Sequence, residues 1–154
     1  MERRVVITGL GAVTPIGNNV NETWNGIKEK NCGIDEITLF DTTNFKTKLA
    51  AEIKDYDPLK YFETKQAKRL DRSSQLAIIA AREAVKMSGI TKENTNFDRV
   101  GIFVSSGIGG LKTIQDQCEI NFEKGNRRVS PMFIPMSICN MPAGNVAIEL
   151  GLKG

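Results

Sequence analysis

Short apolar runs alternate along this chain with stretches whose apolar residues recur at helical spacing. Val5, Val6 and Ile7 are apolar on successive positions, after which VITGLGAVTPIG breaks into glycines at 9, 11 and 17. An unbroken apolar run predicts a strand covered on both faces. Val100–Val104 (VGIFV) repeats that pattern and runs into SSGIGG. Lys48–Ile53 (KLAAEI) is a weaker strand candidate, stopped by Asp57-Pro58.

The helical stretches carry their own punctuation. Asn19 and Glu22 suit the N-cap and N3 positions of a helix. Val20, Trp24 and Ile27 give it one apolar stripe, and it should end near Asn31–Gly33. Residues 64–71, TKQAKRLD, read as a short basic helix or turn. Asp71 can cap the longest helix, RSSQLAIIAAREAVKMSG, in which Leu76, Ala77, Ala80, Ala81, Ala84 and Val85 repeat. Ile78 and Ile79 widen that face, and Gly89 is the expected stop. Leu111, Ile114, Cys118 and Phe122 share one face of a more polar helix, where Cys118 is expected to be a buried, structural thiol. NRRVSPMFIPMSIC is expected to be irregular, with Pro131 and Pro135 in it. Asn140 should cap a last helix, MPAGNVAIEL, with Pro142 in its tolerant first turn and Gly151 at its end. Strands that alternate with helices imply an α/β class with a mainly parallel sheet.

Composition narrows the chemistry. A chain of 154 residues can bury one domain's core, and 40% apolar with 25% charged residues is ordinary for a globular protein. The net charge of +3 is too small to make nucleic acid or a membrane the main partner. No apolar stretch approaches a membrane span, and MERRVVITGLG has the wrong shape for a signal peptide, so a cytoplasmic address is expected. The three cysteines, 32, 118 and 139, are too few and too scattered for a disulfide framework or a zinc site. Histidine is absent, which removes Ser-His, Cys-His and His-metal chemistry from these residues. No catalytic residue and no metal ligand is assigned on this sequence.

The opening glycines raise a nucleotide question. A dinucleotide fingerprint needs glycine at the third place of G-x-G-x-x-G, where helix and strand pack closely. Counted from Gly9 that place is Thr14, and counted from Gly107 it is Lys112. Pro15 then stands where a helix should donate N–H groups to phosphate. Gly9 and Gly11 are expected instead to let the chain turn sharply and pack against a neighbouring element.

Four stretches, in order, carry a resemblance. VVITGLGAVTPIG, KRLDRSSQLAIIAAREA, VGIFVSSGIGGL and SPMFIPMSICNMPAGNVAIELGLKG together resemble the N-terminal part of the β-ketoacyl carrier-protein synthases. The likeness is nearest to the type II condensing enzymes of bacterial fatty acid synthesis, and it covers essentially the whole chain. It implies a thiolase-like fold of layered αβαβα architecture, with residues 1–154 forming most of its N-terminal half. It implies a homodimer and an acyl carrier protein as partner. The implied reaction transfers an acyl group to a cysteine thiolate, followed by decarboxylative Claisen condensation with malonyl carrier protein. That chemistry needs a low-pKa thiol, an oxyanion site and two histidines. The resemblance puts the thiol just past GLKG and both histidines in the second half, so these residues alone should not condense. No cofactor is implied, because phosphopantetheine arrives on the carrier protein.

The resemblance also assigns roles to this half. Ile108, in SGIGG, matches a gate beside the acyl pocket; type I enzymes carry glycine there. Read from the residues alone, Ile108 could instead plug core space after a strand. Phe133 and Ile134 match residues that line the acyl pocket across the dimer interface, or else they belong to the loop's own core. Lys65, Lys68 and Arg69 match a patch that docks the acidic carrier protein, although a charge run is more often a solvated helix face. Arg127 and Arg128 are weaker candidates for the same patch. Three other readings stand beside this one. They are a catalytically silent chain-length partner of a polyketide synthase, a type I synthase, against which Ile108 argues, and a nicotinamide oxidoreductase.

Overall fold

The computed structural model describes residues 3–154. Met1 and Glu2, at the head of the stretch judged unlike a signal peptide, lie outside them. Six α-helices are present among the described residues: α1 (Val20–Lys28), α2 (Thr64–Ala67), α3 (Arg72–Ser88), α4 (Leu111–Lys124), α5 (Phe133–Ser137) and α6 (Met141–Leu150). Two short strands, β1 (Ile34–Glu36) and β2 (Leu49–Ala51), pair antiparallel with Ile34 opposite Ala51. No helix of the described residues is long and apolar enough to cross a membrane.

The caps of α1 and α3 follow from local chemistry. Asn19 accepts from the Glu22 N–H at 2.9 Å, and Glu22 reaches back to the Asn18 N–H at 2.8 Å. Asp71 accepts from the Ser73 N–H at 2.8 Å, and Gly89 ends α3 with φ of 69°, where a side chain would be strained. Asn140 occupies the N-cap place of α6 but makes no capping hydrogen bond with its side chain.

Helix α3 is the axis of the structure. Its ridge of Ser74, Gln75, Ile78 and Ile79 is buried, whereas the expected Leu76–Val85 stripe is half-buried. Ile78 and Ile79 form the core with Phe62 and Val146 of α6. Full burial of one such aliphatic side chain stabilises by about 1.5–3 kcal/mol. Asn145 donates to Ser74 Oγ at 2.9 Å between the same two helices. Arg82, next on the ridge, ion-pairs with Glu149 of α6, donates to the Tyr61 carbonyl at 2.9 Å and lies over the Phe62 ring.

A second face of α3 receives the opening segment. A Cβ on Gly9 or Gly11 would overlap the carbonyl oxygens of Ala84 and Ala80 respectively. The glycines therefore permit backbone-to-backbone approach along an Ala80–Ala84–Ser88 lane, as the motif suggested. The chain then turns back at Thr14, whose N–H donates to the Gly17 carbonyl at 2.8 Å.

Two expected strands are corrected. Neither Val5–Ile7 nor Val100–Val104 forms a ladder among the described residues, and the one sheet is the antiparallel β1–β2 pair. An apolar run becomes a strand only when a neighbour takes its N–H and C=O groups. Val5 and Ile7 are 93% and 83% exposed. Residues 101–104 still alternate as a strand does: Ile102 packs on the core and Phe103 is 99% exposed. Helix α5 is a further departure, since NRRVSPMFIPMSIC was expected to be irregular. Pro135 is its third residue, within the first turn, where a missing N–H costs nothing.

Candidate functional site

The SGIGG loop is fastened to α5. Gly110 donates to the Ser137 carbonyl at 2.9 Å, and Gly109, with φ of 81°, lies so close to that carbonyl that a side chain would collide. Ser106 Oγ accepts from the Gly109 N–H at 2.9 Å and closes the loop on itself. Ile108 is 61% exposed and so fills no core space among the described residues. At the other end of α5, Phe133 is half-buried and Ile134 is 57% exposed. The loop of Ile108 and the helix of Phe133 and Ile134 are thus adjoining elements.

On its other side the loop meets α3. The carboxylate of Asp71 is buried; it accepts from Ser73 on one oxygen and from Thr113 Oγ1 of α4 at 2.7 Å on the other. A cavity of about 680 Å³ opens here between Leu39, Phe40, Leu70, Leu111 and Met136. Ile108, Phe133 and Ile134 are not in its lining.

Lys65, Lys68 and Arg69 are exposed, and among the described residues none is in a salt bridge. Their backbone is held firmly. Gln75, buried in α3, donates to the carbonyls of Ala67 and Leu70 at 2.9 and 3.0 Å. Gln66 donates to Glu149 at 3.0 Å. Lys65 and Arg69 border a cleft of about 640 Å³ with Met132, Ile148 and Glu149. Met132 directly precedes α5, so the basic segment and the apolar helix share one rim. Arg127 and Arg128 lie in a separate exposed turn.

The bond from Thr113 to Asp71, Gln75 and the Arg82–Glu149 pair were not foreseen. The sequence held one signal: Arg82 follows Ser74 and Ile78 at four-residue intervals, and a charge on a buried ridge needs a partner. The expectation of a buried Cys118 also needs correcting. Cys118 is exposed, as are Cys32 and Cys139. The stripe expected to bury Cys118 ends in Leu111 and Phe122, which are 56% and 92% exposed.

The glycine motif offers no phosphate cradle. The N–H groups of Ala12 and Val20 both donate to the Glu83 carboxylate at 3.0 Å, so a side chain already occupies the place of an anion.

Residues 2–154 match the family described as beta-ketoacyl synthase, N-terminal domain. A 3-oxoacyl-[acyl-carrier-protein] synthase 2 of Staphylococcus aureus (strain N315) is 47% identical over 153 residues, 99% of this chain. The protein of the same name from Synechocystis sp. is 42% identical over 153 residues. The chain spans 37% of the length of each of these relatives. Among solved structures, the ishigamide ketosynthase/chain length factor superposes with a TM-score of 0.86 at 28% identity, covering 99% of this chain and 38% of that one. Match, relatives and superposition agree: the chain belongs to the beta-ketoacyl synthase family and carries the thiolase-like α/β fold of its N-terminal domain.

Proposed function

We propose that this chain forms the acyl-pocket wall and the carrier-docking rim of a 3-oxoacyl-[acyl-carrier-protein] synthase of fatty acid elongation. The observation that carries the reading is the seam between the Ile108 loop and α5, made by Gly109 and Gly110 against Ser137. It joins the candidate gate to the helix that bears Phe133 and Ile134. A branched side chain has few rotamers, so Ile108 can act as a two-position stop for an alkyl chain. The exposed Val5, Ile7 and Phe103 are read as strand faces that a second half covers. A homodimer would bring Phe133 and Ile134 to the partner's pocket. Histidine is absent from these residues, and the reading assigns the condensation's histidines, and with them its thiolate, to the remainder of a longer synthase. No cofactor is proposed for this half.

Lys65, Lys68 and Arg69 supply the docking charge, without a salt-bridge partner among the described residues and presented by a backbone pinned through Gln75 and Glu149. An acidic carrier protein meets such a surface by steered encounter. The experiment is titration of the chain with acyl carrier protein at two salt concentrations. Reversing all three charges to Glu should weaken binding by about tenfold or more at low salt, with a smaller difference at high salt. Binding that ignores both the reversal and the salt would defeat the docking assignment. The likeness to a ketosynthase/chain length factor supports a silent polyketide partner as the second reading, but at 28% identity against 47% for the elongation enzyme it is the weaker of the two.

A further inference from the structure

We propose that Asp71 is a positioning residue for the loop that carries Ile108, acting through Thr113 and Gly110. By holding that loop it limits which acyl chains are admitted, a consequence that rests on the acyl-pocket reading above. Capping α3 uses one carboxylate oxygen: Oδ1 accepts both the N–H and the hydroxyl of Ser73, each at 2.8 Å. The second oxygen is not needed for the cap. It accepts from Thr113 Oγ1 at 2.7 Å and so ties the first turn of α4 to the start of α3.

The loop lies in the grip of that tie. A Cβ on Gly110 would stand 2.6 Å from Asp71 Oδ2 and 2.6 Å from the Met136 carbonyl oxygen. Gly110 is therefore seated between the carboxylate and α5, with its own N–H given to Ser137. Gly107, three residues earlier, would meet nothing within 4 Å. The loop is thus fixed at its Gly109–Gly110 end and has open space beside Gly107 at its tip, with Ile108 between the two. Asp71 is 7% exposed, so solvent does not compete well for its oxygens. The Thr113 bridge sets where the fixed end rests, and that position sets how far Ile108 must swing.

The test uses the 154-residue chain. Thr113→Val keeps the shape of the side chain and leaves the α3 cap intact. Amide hydrogen exchange at Gly109 and Gly110 should quicken by about tenfold, the loss of one hydrogen bond to a carboxylate. The amides of Ile78 and Ile79 should keep their rates, and Thr113→Ser should restore the loop. Gly110→Ala reaches the same contact from the loop side and should give the same local pattern, so the proposal stays testable if the valine variant does not fold. Unchanged exchange at Gly109 and Gly110, or equal quickening throughout α3, overturns the proposal. A second measurement titrates hexanoyl and dodecanoyl pantetheine thioesters. Thr113→Val should shrink the ratio of their affinities by several-fold, which a merely structural bond would not do. A wild-type chain that binds neither thioester defeats the acyl reading, and the exchange data then judge Asp71 alone. A wild-type ratio kept by the variant defeats the proposal itself.

Discussion

Gly11→Ala probes the contact that the opening motif makes. The added methyl would overlap the Ala80 carbonyl oxygen and stand 2.8 Å from its carbon and 3.0 Å from the Ala84 nitrogen. All three neighbours are helix backbone, so no rotamer change relieves the clash. Either the opening segment lifts off α3 or the helix bends. Overpacking of this kind costs about 1–3 kcal/mol. Lifting the segment also breaks the 3.0 Å bond from the Ala12 N–H to Glu83, and bonds to charged groups contribute about 1.5–3 kcal/mol. The alanine returns about 0.4–1 kcal/mol by restricting the unfolded chain. The net expectation is a loss of about 1.5–5.5 kcal/mol, a large share of a small domain's stability. Urea unfolding followed by far-ultraviolet circular dichroism measures it. Gly107→Ala is the matched control, because its Cβ meets nothing within 4 Å, and it should change stability by less than about 1 kcal/mol. Equal midpoints for the two variants would refute the close-approach argument.

Two further outcomes are expected. Burial pushes the Tyr56 phenol up to about 12 from its ordinary 10.0, against a smaller opposing pull from Arg72, so the folded state holds this proton more tightly than the unfolded one. The contribution is whole below pH 10 and is lost as pH rises to about 12, so Tyr56→Phe should show a flatter stability profile across that window in urea unfolding. Separately, all three cysteines of the native chain should react with a water-soluble disulfide reagent without denaturant, since each is exposed; one or more thiols released only on unfolding would contradict that exposure.

Helices with clear end signals were legible in the residues. Asn19 with Glu22, and Asp71 with Gly89, marked α1 and α3 because caps are local chemistry within one turn. The strands were not legible in the same way. VGIFV has the composition and the alternation of a strand, yet pairing depends on a neighbour that the run itself does not specify. Helix α5 escaped notice because two prolines signal irregular chain unless one happens to fall in a first turn. Within the candidate site, Ile108, Phe133 and Ile134 could be named from SGIGG and PMFIPM. That Gly110 and Ser137 join them is a contact across 27 positions of sequence, and no local pattern encodes it. Asp71 was legible as a cap, but its second oxygen acts on Thr113, which lies 42 positions away.

Helix α3 serves three neighbours at three angles around its axis: the glycine segment along its alanine lane, α6 along its buried ridge, and the Ile108 loop at its capped tip. Inserting one residue would rotate everything beyond it by about 100°. The lane and the ridge would then turn away from their partners while the tip stayed in place. Evolution can vary the rim and the loop by substitution, but the angular phase of this one rod is shared property, and changes of length are closed to it.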